Sequence, residues 1–582
     1  MHSETRNCLN CKIDFTIPIE DFVFYEKIKV PAPTFCPECR SARRMVHRNE
    51  RNLFRRKCDI TGKDIISIYR PDCPYTICDK DYYFSEAFDP LTYGATYNPD
   101  LKFFEQFYEF AKKVPLASLF VRSSENCDYN QDMSGASNCY LCFRTHHSQN
   151  MFYTYRGNKS KDCIDCFQVV VGSEFLYECV DATNSSNSKF LHSCEQCSDS
   201  SFLYNCVGCL DSFMCTDQRN KQCCYRNQQY SREEYKKIVE SYELSTYDGQ
   251  QRALKEFEEF LKQNPRRNLN NTRCDNVVGD GISDSKDCHD VYNVRGSINC
   301  AYIWDSMKFS DTMDAYSGAA IELGYEVTAT TAHSNNCHFC ARVYDYSLNC
   351  EYSWFLQNCK NCFGCVGLKD QEYCIFNIRY SKEDYTELLA QIKNKMIEDK
   401  EYGEYFPFYM SPFPYNDTVA QEYFPHTKDT AEAMGLIWGE SEEKNYQVTI
   451  TPDLIPQDIK DIDDTILKET ISCIHNGDCA HGCKKAFRIV FEELSYYRRK
   501  GIPIPHECPN CRYYRRLEYR NPTKIRDTIC MCKGEELSNG IYKNTAPHSH
   551  GHQACGKEVK TTIREDGGYI IYCEDCYKKE VF

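Results

Sequence analysis

One cysteine- and arginine-rich stretch occurs twice in this chain, once near each end. The stretch CPECRSARRMVHRN, from Cys36 to Asn49, returns as CPNCRYYRRLEYRN, from Cys508 to Asn521, 472 residues later. Cysteine, aromatic and proline positions on both sides of the stretch keep the same offset. A register held over so many positions indicates one module used twice, and it constrains the fold of both ends of the chain.

Each copy of the stretch contains two cysteines separated by two residues, and another short-spaced pair ends 25 residues before it. Two such pairs are typical of a zinc ribbon, in which four thiolates surround one ion. A shell closed by four cysteines leaves no position for water, so we expect a structural metal. The predicted ligands are Cys8, Cys11, Cys36 and Cys39 in the first module and Cys479, Cys483, Cys508 and Cys511 in the second, where Cys473 competes with Cys479.

A further set of candidate ligands follows the repeated stretch at each end. Near the C-terminus the set is Cys530 or Cys532 with Cys555, Cys573 and Cys576, and the insertion between them carries His548, His550 and His552. One of these histidines could be a ligand or the three could form a minor metal site, but the pattern favours solvated loop histidines. The corresponding N-terminal positions are Cys58, Thr61, Cys78 and Asp81, with Cys73 as a substitute. Because threonine is not a usual zinc ligand, we predict that this set is degenerate and that the chain binds about three zinc ions.

The middle of the chain predicts a parallel β-helix. Cys127, Cys139 and Cys163 fit steps of 12 residues, and companions such as Cys142 and Cys166 follow three residues later. Short apolar runs alternate with Asn, Asp, Ser and Gly, and repetition at a short fixed period is typical of a solenoid. The 23 cysteines between 127 and 374 are interpreted mainly as small buried side chains, with metal bound between stacked pairs as the alternative.

The solenoid is itself duplicated, because CTDQRNKQCCYRNQQYSREEY, from Cys215, matches CVGLKDQEYCIFNIRYSKEDY, from Cys365, at an offset of 150. The predicted fold is therefore mainly β, with two parallel β-helix segments flanked by N- and C-terminal zinc-ribbon modules and joined by helices. The predicted segments are a tandem ribbon module at 1–85, a helical connector at 86–116, a first solenoid at 117–231, a helical linker at 232–266, a second solenoid at 267–381, a helix and wrapping linker at 382–470, and a tandem ribbon module at 471–582.

The repeated stretch also carries a local excess of positive charge in an acidic chain of net charge −15. The arginines that follow Cys36 and Cys39 are Arg40, Arg43, Arg44, Arg48, Arg51, Arg55 and Arg56. They are interpreted either as a solvated helix face or as a surface that contacts phosphate or an acidic partner through bidentate hydrogen bonds. The first residues contain no apolar signal core and no run of 18 apolar residues occurs, so we expect a cytoplasmic protein with reduced thiols and no membrane span.

Four stretches together resemble a family of uncharacterised, cysteine-rich zinc-ribbon proteins from candidate-phyla (Patescibacteria-type) bacteria. They are CPECRSARRMVHRNERNLFRRKCDITGKDIISIY, FGCVGLKDQEYCIFNIRYSKEDY, SPFPYNDTVAQEYFP and YIIYCEDCYKKEV. The resemblance covers nearly the whole chain. It implies zinc ribbons flanking a repeat region, and it implies no activity.

No phosphate-binding loop, serine-hydrolase elbow or zinc-protease motif occurs in the sequence. We therefore predict a non-enzymatic zinc-binding scaffold that binds a macromolecule, either protein or RNA. The alternative is an enzyme that acts on a polymer held along the solenoid groove, which would need clustered acids on one face. The candidate acids are Asp284, Asp287, Asp290, Asp305, Asp311 and Asp314, although such residues are common in turns.

Overall fold

Two 12-stranded β-sheets dominate the structure. The computed structural model describes residues 2–330, 333–440, 446–479 and 482–581. The first sheet consists of Val121–Arg122, Gln131–Ser134, Phe143–His146, Tyr155–Asn158, Phe167–Val170, Glu174–Tyr177, Val180–Thr183, Ser186–Glu195, Ser201–Tyr204, Leu210–Thr216, Gln222–Tyr225 and Gln228–Gln229. The second consists of Asp275–Ser283, Lys286–Arg295, Ile298–Met307, Ser310–Ala319, Ile321–Glu322, Tyr325–Thr330, Ser334–Tyr344, Leu348–Glu351, Trp354–Gln357, Lys360–Phe363, Glu372–Ile375 and Ile378–Arg379.

Both sheets are β-solenoids, which confirms the predicted fold class. Neighbouring strands are parallel and pair mostly at an offset of 12 residues, as in Phe143 with Tyr155 and Tyr155 with Phe167. Each sheet ends in an antiparallel hairpin, Gln222–Tyr225 with Gln228–Gln229 in the first and Glu372–Ile375 with Ile378–Arg379 in the second. The 12-residue spacing of the cysteines is therefore the length of one coil.

Every third residue along much of a coil has a left-handed backbone. In the stretch 138–165 these residues have φ between 49° and 60° and are Asn138, Leu141, Arg144, His147, Asn150, Tyr153, Arg156, Lys159, Asp162 and Asp165. This conformation costs a residue with a side chain about 1 kcal/mol. The cost recurs in every coil, so hydrogen bonds between coils and packing inside them must offset it.

The residue after each left-handed position is buried inside the coil. In the same stretch these residues are at most 4 % exposed and include Cys139, Cys142, Thr145, Ser148, Met151, Thr154, Ser160, Cys163 and Cys166. The thiol of Cys163 donates to the carbonyl oxygen of Lys161 at 3.2 Å, and the hydroxyl of Ser160 donates to that of Asn158 at 3.1 Å. Cysteine, serine and threonine suit these positions because each is small and satisfies a buried carbonyl group.

The outer corners of the coils carry ladders of amide side chains. The side-chain amide of Asn126 donates to Asn138 at 2.9 Å, Asn138 donates to Asn150 at 3.2 Å, and Asn150 donates to Asp162 at 3.0 Å. Each step joins residues 12 positions apart. Asparagine and aspartate tolerate the left-handed backbone better than other residues with side chains, so the same residues serve both the turn and the ladder.

The helices lie mainly outside the sheets. In the described part of the chain they are α1 (Ile19–Ile28), α2 (Pro37–Met45), α3 (Lys80–Tyr83), α4 (Phe103–Lys113), α5 (Arg232–Glu240), α6 (Tyr247–Lys262), α7 (Lys382–Glu398), α8 (Val419–Tyr423), α9 (Lys428–Ala433), α10 (Phe491–Lys500), α11 (Pro509–Glu518) and α12 (Glu574–Val581). Helices α5 and α7 begin directly after the two hairpins, where Ser231 and Ser381 accept a hydrogen bond from the backbone of the first turn. Helix capping by serine therefore marks the end of each solenoid.

Each end of the chain also forms small two-stranded sheets. At the N-terminal end they pair Glu4–Asn7 with Asp14–Ile17, Phe54–Lys57 with Asp64–Ser67, and Ile77–Cys78 with Leu116–Ala117. At the C-terminal end they pair Ile471–Ser472 with Ala486–Phe487, Arg526–Ile529 with Glu558–Thr561, and Pro265–Arg267 with Ile570–Tyr572.

The chain divides into two units, and each unit combines one terminal module with one solenoid. The first contains residues 1–120 and 269–440, so the N-terminal module belongs with the second solenoid. The second contains residues 121–268 and 441–582, so the first solenoid belongs with the C-terminal module. Modules that are adjacent in the sequence therefore belong to different units.

Candidate metal centres

The first four-cysteine group is formed by residues from two turns of the N-terminal module. Cys8 and Cys11 flank the turn between Glu4–Asn7 and Asp14–Ile17, while Cys36 precedes α2 and Cys39 lies in its first turn. The four sulfur atoms lie within 4.8 Å of one another, with Cys11 and Cys36 at 3.8 Å. Four thiolates around one zinc ion stand about 3.8 Å apart, given Zn–S bonds of about 2.3 Å. The structure therefore brings the four predicted residues to metal-binding distances.

Neighbouring N–H groups favour the thiolate forms in this group. The backbone N–H of Cys36 donates to Sγ of Cys8 at 3.2 Å, and the side-chain amide of Asn10 donates to Sγ of Cys39 at 3.2 Å. Burial alone would raise the pKa of Cys8, but the backbone N–H groups around its sulfur outweigh burial and lower that pKa to about 7. A metal ion binds the deprotonated sulfur, so this environment favours binding.

The second group consists of Cys473, Cys483, Cys508 and Cys511. Cys473 takes the place of Cys8, because its sulfur accepts the backbone N–H of Cys508 at 3.2 Å just as Cys8 accepts that of Cys36. Cys473 was the open alternative for this position, and the structure places it there instead of Cys479. In the sequence nine residues, 474–482, separate Cys473 from Cys483, whereas only two separate Cys8 from Cys11.

Cys479 lies within this longer sequence segment, and its sulfur is close to the group. Its sulfur is 3.8 Å from that of Cys511, and His475 completes a trio with these two cysteines. Three of the four predicted residues, Cys483, Cys508 and Cys511, therefore belong to this group. The fourth predicted residue, Cys479, lies beside the group.

The third group consists of Cys530, Cys555, Cys573 and Cys576. The sulfur of Cys530 accepts the backbone N–H of Cys573 at 3.1 Å, and the sulfur atoms of Cys555 and Cys573 are 3.9 Å apart. Of the two alternatives left open at the first position, Cys530 joins this group. Cys532 lies in a separate group with His548, His550 and Cys576.

The N-terminal counterpart of the third group has only one cysteine at an equivalent ligand position. The sulfur of Cys58 accepts the backbone N–H of Asp79 at 3.2 Å, so Asp79 corresponds to Cys573. The alignment of Cys78 with Cys573 is wrong by one residue, because Cys78 lies on a strand and its thiol donates to the carbonyl of Leu116 at 3.6 Å. Tyr82, rather than Asp81, then corresponds to Cys576.

No group of metal-binding residues forms around Cys58 within the residues that the structure describes. The side chain of Asp81 is 83 % exposed, and the thiol of Cys73 donates to the carbonyl of Pro412 at 3.4 Å. Neither residue therefore supplies a ligand beside Cys58.

Most of the arginines that follow Cys36 and Cys39 are buried and not solvent-facing. Arg40, Arg43, Arg44 and Arg48 are at most 4 % exposed. The structure thus corrects both interpretations of this stretch, since an external phosphate cannot reach these four groups. Of the others, Arg51 is half-buried with Nη1 3.6 Å from Oε1 of Glu422, Arg55 is exposed, and Arg56 is buried against Asp59 at 2.9 Å.

Two carboxylates on neighbouring coils bind the arginines of α2. Asp314 accepts from Nε of Arg40 at 2.9 Å and from Nη1 of Arg44 at 3.1 Å. Glu326 accepts from Nη1 of Arg44 at 2.6 Å and from Nη2 of Arg43 at 3.1 Å. Both carboxylates have no exposed side-chain surface. Helix α2, which contains the candidate ligand Cys39 and begins directly after Cys36, is therefore joined to the second solenoid by buried ion pairs.

Helix α11 repeats this arrangement in the second unit. Asp165 accepts from Nη1 of Arg516 at 3.0 Å, and its Oδ1 forms an ion pair with Nε of Arg512 at 3.2 Å. Glu178 accepts from Nη2 of Arg515 at 2.8 Å, and its Oε2 forms an ion pair with Nη1 of Arg516 at 3.3 Å. The sequence analysis did not identify these carboxylates as partners. In each solenoid the two carboxylates are about one coil apart in the sequence, and the arginines that they contact repeat at the offset of 472. This combination of spacings is the signal that could have identified them.

The acids that an enzyme would need on the second solenoid are used within the fold. Asp314 binds two arginines, Asp305 accepts from Asn293 and Tyr423, and Asp284 accepts from Arg273. Asp287, Asp290 and Asp311 likewise accept from Asn276, His289 and Asn299. All six have a left-handed backbone at coil corners. These contacts within the fold account for all six acids without a catalytic role.

The cysteines of the solenoids are free thiols and belong to none of the candidate metal groups within the described residues. Cys206 is fully buried beside Cys194 and Cys209, and its thiol donates to the carbonyl of Tyr204 at 3.4 Å. A serine hydroxyl can make the same hydrogen bond, as inward-facing serines do elsewhere in the solenoid. These cysteines are therefore explained by packing and hydrogen bonding.

Replacing Cys206 by serine is accordingly expected to leave the metal content unchanged. We expect it to lower the free energy of unfolding by about 1–2 kcal/mol, because a hydroxyl is smaller and more polar than the thiol that it replaces in the buried interior. Elemental analysis of the purified variant checks the first expectation and chemical denaturation checks the second. The matched variant Cys511→Ser should lose metal. Loss of metal from Cys206→Ser would show instead that the stacked cysteines bind an ion.

No family model matches the chain, and no curated protein matches it either. The resemblance to candidate-phyla proteins therefore stays a prediction. Within the described residues, the helices are too short or too polar to cross a lipid bilayer.

Proposed function

We propose that this chain is a zinc-dependent scaffold that binds a protein partner and has no catalytic centre of its own. The observation that carries the proposal is that each of the three four-cysteine groups brings four sulfur atoms within 4.8 Å of one another. Four thiolates complete the coordination of zinc, so neither water nor substrate has a position on the metal. Tetrahedral sets of four soft sulfur ligands suit zinc better than magnesium, calcium or manganese.

The position of the metal groups supports a structural role. In both units the second cysteine pair lies at the start of a helix whose arginines form ion pairs with the solenoid of that unit. A metal ion that fixes the start of α2 or α11 also fixes the direction in which those arginines point. Zinc would therefore hold each terminal module in the geometry that its buried ion pairs require.

A protein partner fits the charge distribution better than RNA does. The chain has a net charge of −15, and such a charge repels a polyphosphate backbone. The arginines that could have offset this repulsion are buried against carboxylates in both units. The surfaces left for a macromolecule are the solenoid exteriors, with their rows of amide and carboxylate side chains.

Affinity purification of the full-length chain tests the proposal. We expect a protein partner that stays bound after nuclease treatment and at about 0.5 M salt, where contacts to phosphate are strongly weakened. Prior removal of zinc with a chelator should abolish the interaction, because the modules need the metal to fold. Recovery of RNA with a steep salt dependence would overturn the protein class, and a protein purified without zinc but still folded would overturn the scaffold.

A further inference from the structure

Beside the third four-cysteine group lies a second set of four donor atoms, provided by Cys532, His548, His550 and Cys576. The donor atoms lie within 4.8 Å of one another, and Cys576 belongs to both sets. We propose that this second set binds a further zinc ion and that the thiolate of Cys576 bridges the two ions. The C-terminal module would then hold a two-zinc cluster. This inference rests on the zinc assignment made above for the third group.

The donor distances agree with a tetrahedral ion. With a Zn–S bond of about 2.3 Å and a Zn–N bond of about 2.05 Å, a sulfur and a nitrogen on one zinc are about 3.6 Å apart. Sγ of Cys532 lies 3.7 Å from Nδ1 of His548 and 3.4 Å from Nε2 of His550. Nε2 of His550 is also 3.4 Å from Sγ of Cys576. Three donor pairs therefore fall close to the spacing that one zinc ion imposes.

Each histidine is held by a hydrogen bond through its other ring nitrogen. Nε2 of His548 donates to Oε1 of Glu580 at 2.7 Å, and Nδ1 of His550 donates to the carbonyl of Gln553 at 2.6 Å. The side chains of His548 and Glu580 are 2 % and 1 % exposed. Histidine ligands of metals usually donate their second N–H to a carboxylate or carbonyl in this way, because that bond fixes the tautomer and the ring orientation.

These hydrogen bonds leave two nitrogen lone pairs directed at one sulfur atom. Nδ1 of His548 and Nε2 of His550 carry no proton when the other nitrogen of each ring donates. The thiol of Cys532 has a single proton and can donate to only one of them, while Nε2 of His550 also lies 3.4 Å from Sγ of Cys576. A zinc ion would bind both nitrogens and both sulfurs as thiolates at once, so the four donor atoms are arranged as the ligands of one ion.

The loop that supplies these residues is anchored to the rest of the module. Glu580, on α12, also accepts from the hydroxyl of Tyr542 at 2.7 Å and from the backbone N–H of Thr545 at 2.8 Å. The side-chain amide of Asn544 donates to Sγ of Cys532 at 3.2 Å. The second donor set is therefore built by the module and does not depend on chance contacts of a surface loop.

The charge of the cluster also favours a second ion. One zinc ion in the four thiolates of the third group has a net charge of −2, whereas two zinc ions in five thiolates and two neutral histidines have a net charge of −1. A buried site of smaller charge costs less desolvation energy. Adding the second ion therefore stabilises the thiolates that both sets share.

Metal content of the full-length protein tests the proposal. We expect about four zinc ions per wild-type chain and about three in the double variant His548→Ala/His550→Ala, because only the second donor set loses ligands. His552→Ala is the matched control, since the side chain of His552 is 81 % exposed and lies outside both donor sets. It should keep the wild-type content. A wild-type content of about three that the double variant leaves unchanged would overturn the second ion.

Cadmium-113 exchange into the wild-type protein provides a second test that needs no variant. Two ions that share the sulfur of Cys576 are expected to give two resonances split by scalar coupling through that atom, while the other sites give unsplit resonances. Four unsplit signals would overturn the bridge. A protein that is folded without any metal would instead overturn the proposed zinc scaffold, so the failures of the two proposals are distinguishable.

Discussion

Replacing Cys39 by serine is expected to remove one metal ion from the chain and to unfold the strands around the first four-cysteine group. The buried apolar cluster at this site consists of Cys8, Cys36 and Cys39, with Cys11, Phe15 and Phe35 partly buried against it. The proposed ligands thus are most of the local core. Structural zinc contributes about 10–16 kcal/mol to small modules of this kind, and so small a core cannot compensate for its loss. Hydrogen exchange should show lost protection over Glu4–Asn7 and Asp14–Ile17.

Cys73→Ser is the matched control for this variant. Cys73 lies in the same module and is half-buried, but it belongs to no candidate metal group among the described residues. Its substitution should leave both the metal content and the exchange pattern of Glu4–Asn7 as in the wild type. If Cys39→Ser kept the full metal content and its protection, the first group would not be a metal site.

The sequence predicted the cysteine groups wherever the repeat kept its offset. Cys36, Cys39, Cys508 and Cys511 were paired correctly because nothing is inserted between the compared positions. Cys473 could not be assigned as the counterpart of Cys8, because the segment between Cys473 and Cys483 is longer than that between Cys8 and Cys11 and breaks the offset. Only the backbone hydrogen bond from Cys508 to its sulfur identifies it as the counterpart of Cys8. Equivalence at this position is defined by the fold of the turn rather than by spacing.

At the degenerate site around Cys58, the sequence alignment was misleading. A cysteine at position 78 looks like the counterpart of Cys573, because both begin a similar run of residues. In the structure the strand continues through Cys78, and the helix begins one residue later than the alignment requires. A slip of one residue on a strand turns the side chain to the opposite face. Sequence similarity was too weak here to exclude such a slip.

The 12-residue coil could be predicted from cysteine spacing, but its backbone could not. Tyr153, Arg156 and Leu141 have left-handed backbones, and none of these residue types prefers that conformation. Local preference is overridden by the stacking of coils, which fixes the backbone at equivalent positions. The small inward residues were the visible part of the pattern, because each occupies a confined interior that tolerates few side chains.

The sequence also did not indicate which terminal module belongs with which solenoid. The arginines of α2 suggested an outward-facing basic surface, since their partners lie about 270–283 residues away in the sequence. Asp314 and Glu326 are ordinary turn or strand residues when considered alone. Their role becomes visible only when the N-terminal module is found in the same unit as the second solenoid. Buried charge is tolerated there because each carboxylate contacts two guanidinium groups.

Replacing Asp314 by asparagine is expected to destabilise the docking of α2 by about 3–5 kcal/mol, because it leaves buried guanidinium groups without their carboxylate. The side chain of Asp314 has no exposed surface, and it contacts Arg40 at 2.9 Å and Arg44 at 3.1 Å. Hydrogen exchange of the α2 amides measures the local free energy of opening, which a global unfolding curve of a chain with several modules does not isolate. Metal content should stay unchanged, because no ligand is altered.

Asp311→Asn is the matched control, since Asp311 lies three residues earlier on the same strand, Ser310–Ala319. Its side chain is 28 % exposed and pairs with the half-exposed Lys27 at 3.2 Å. An ion pair of this kind contributes about 0–1 kcal/mol, so the exchange of the α2 amides should change little. Equal effects of the two substitutions would show that the buried pairs do not hold the helix. A large effect of Asp314→Asn alone would establish that the solenoid positions α2, with its candidate ligand Cys39, through paired charge, because the two variants differ mainly in the burial of the charge they remove.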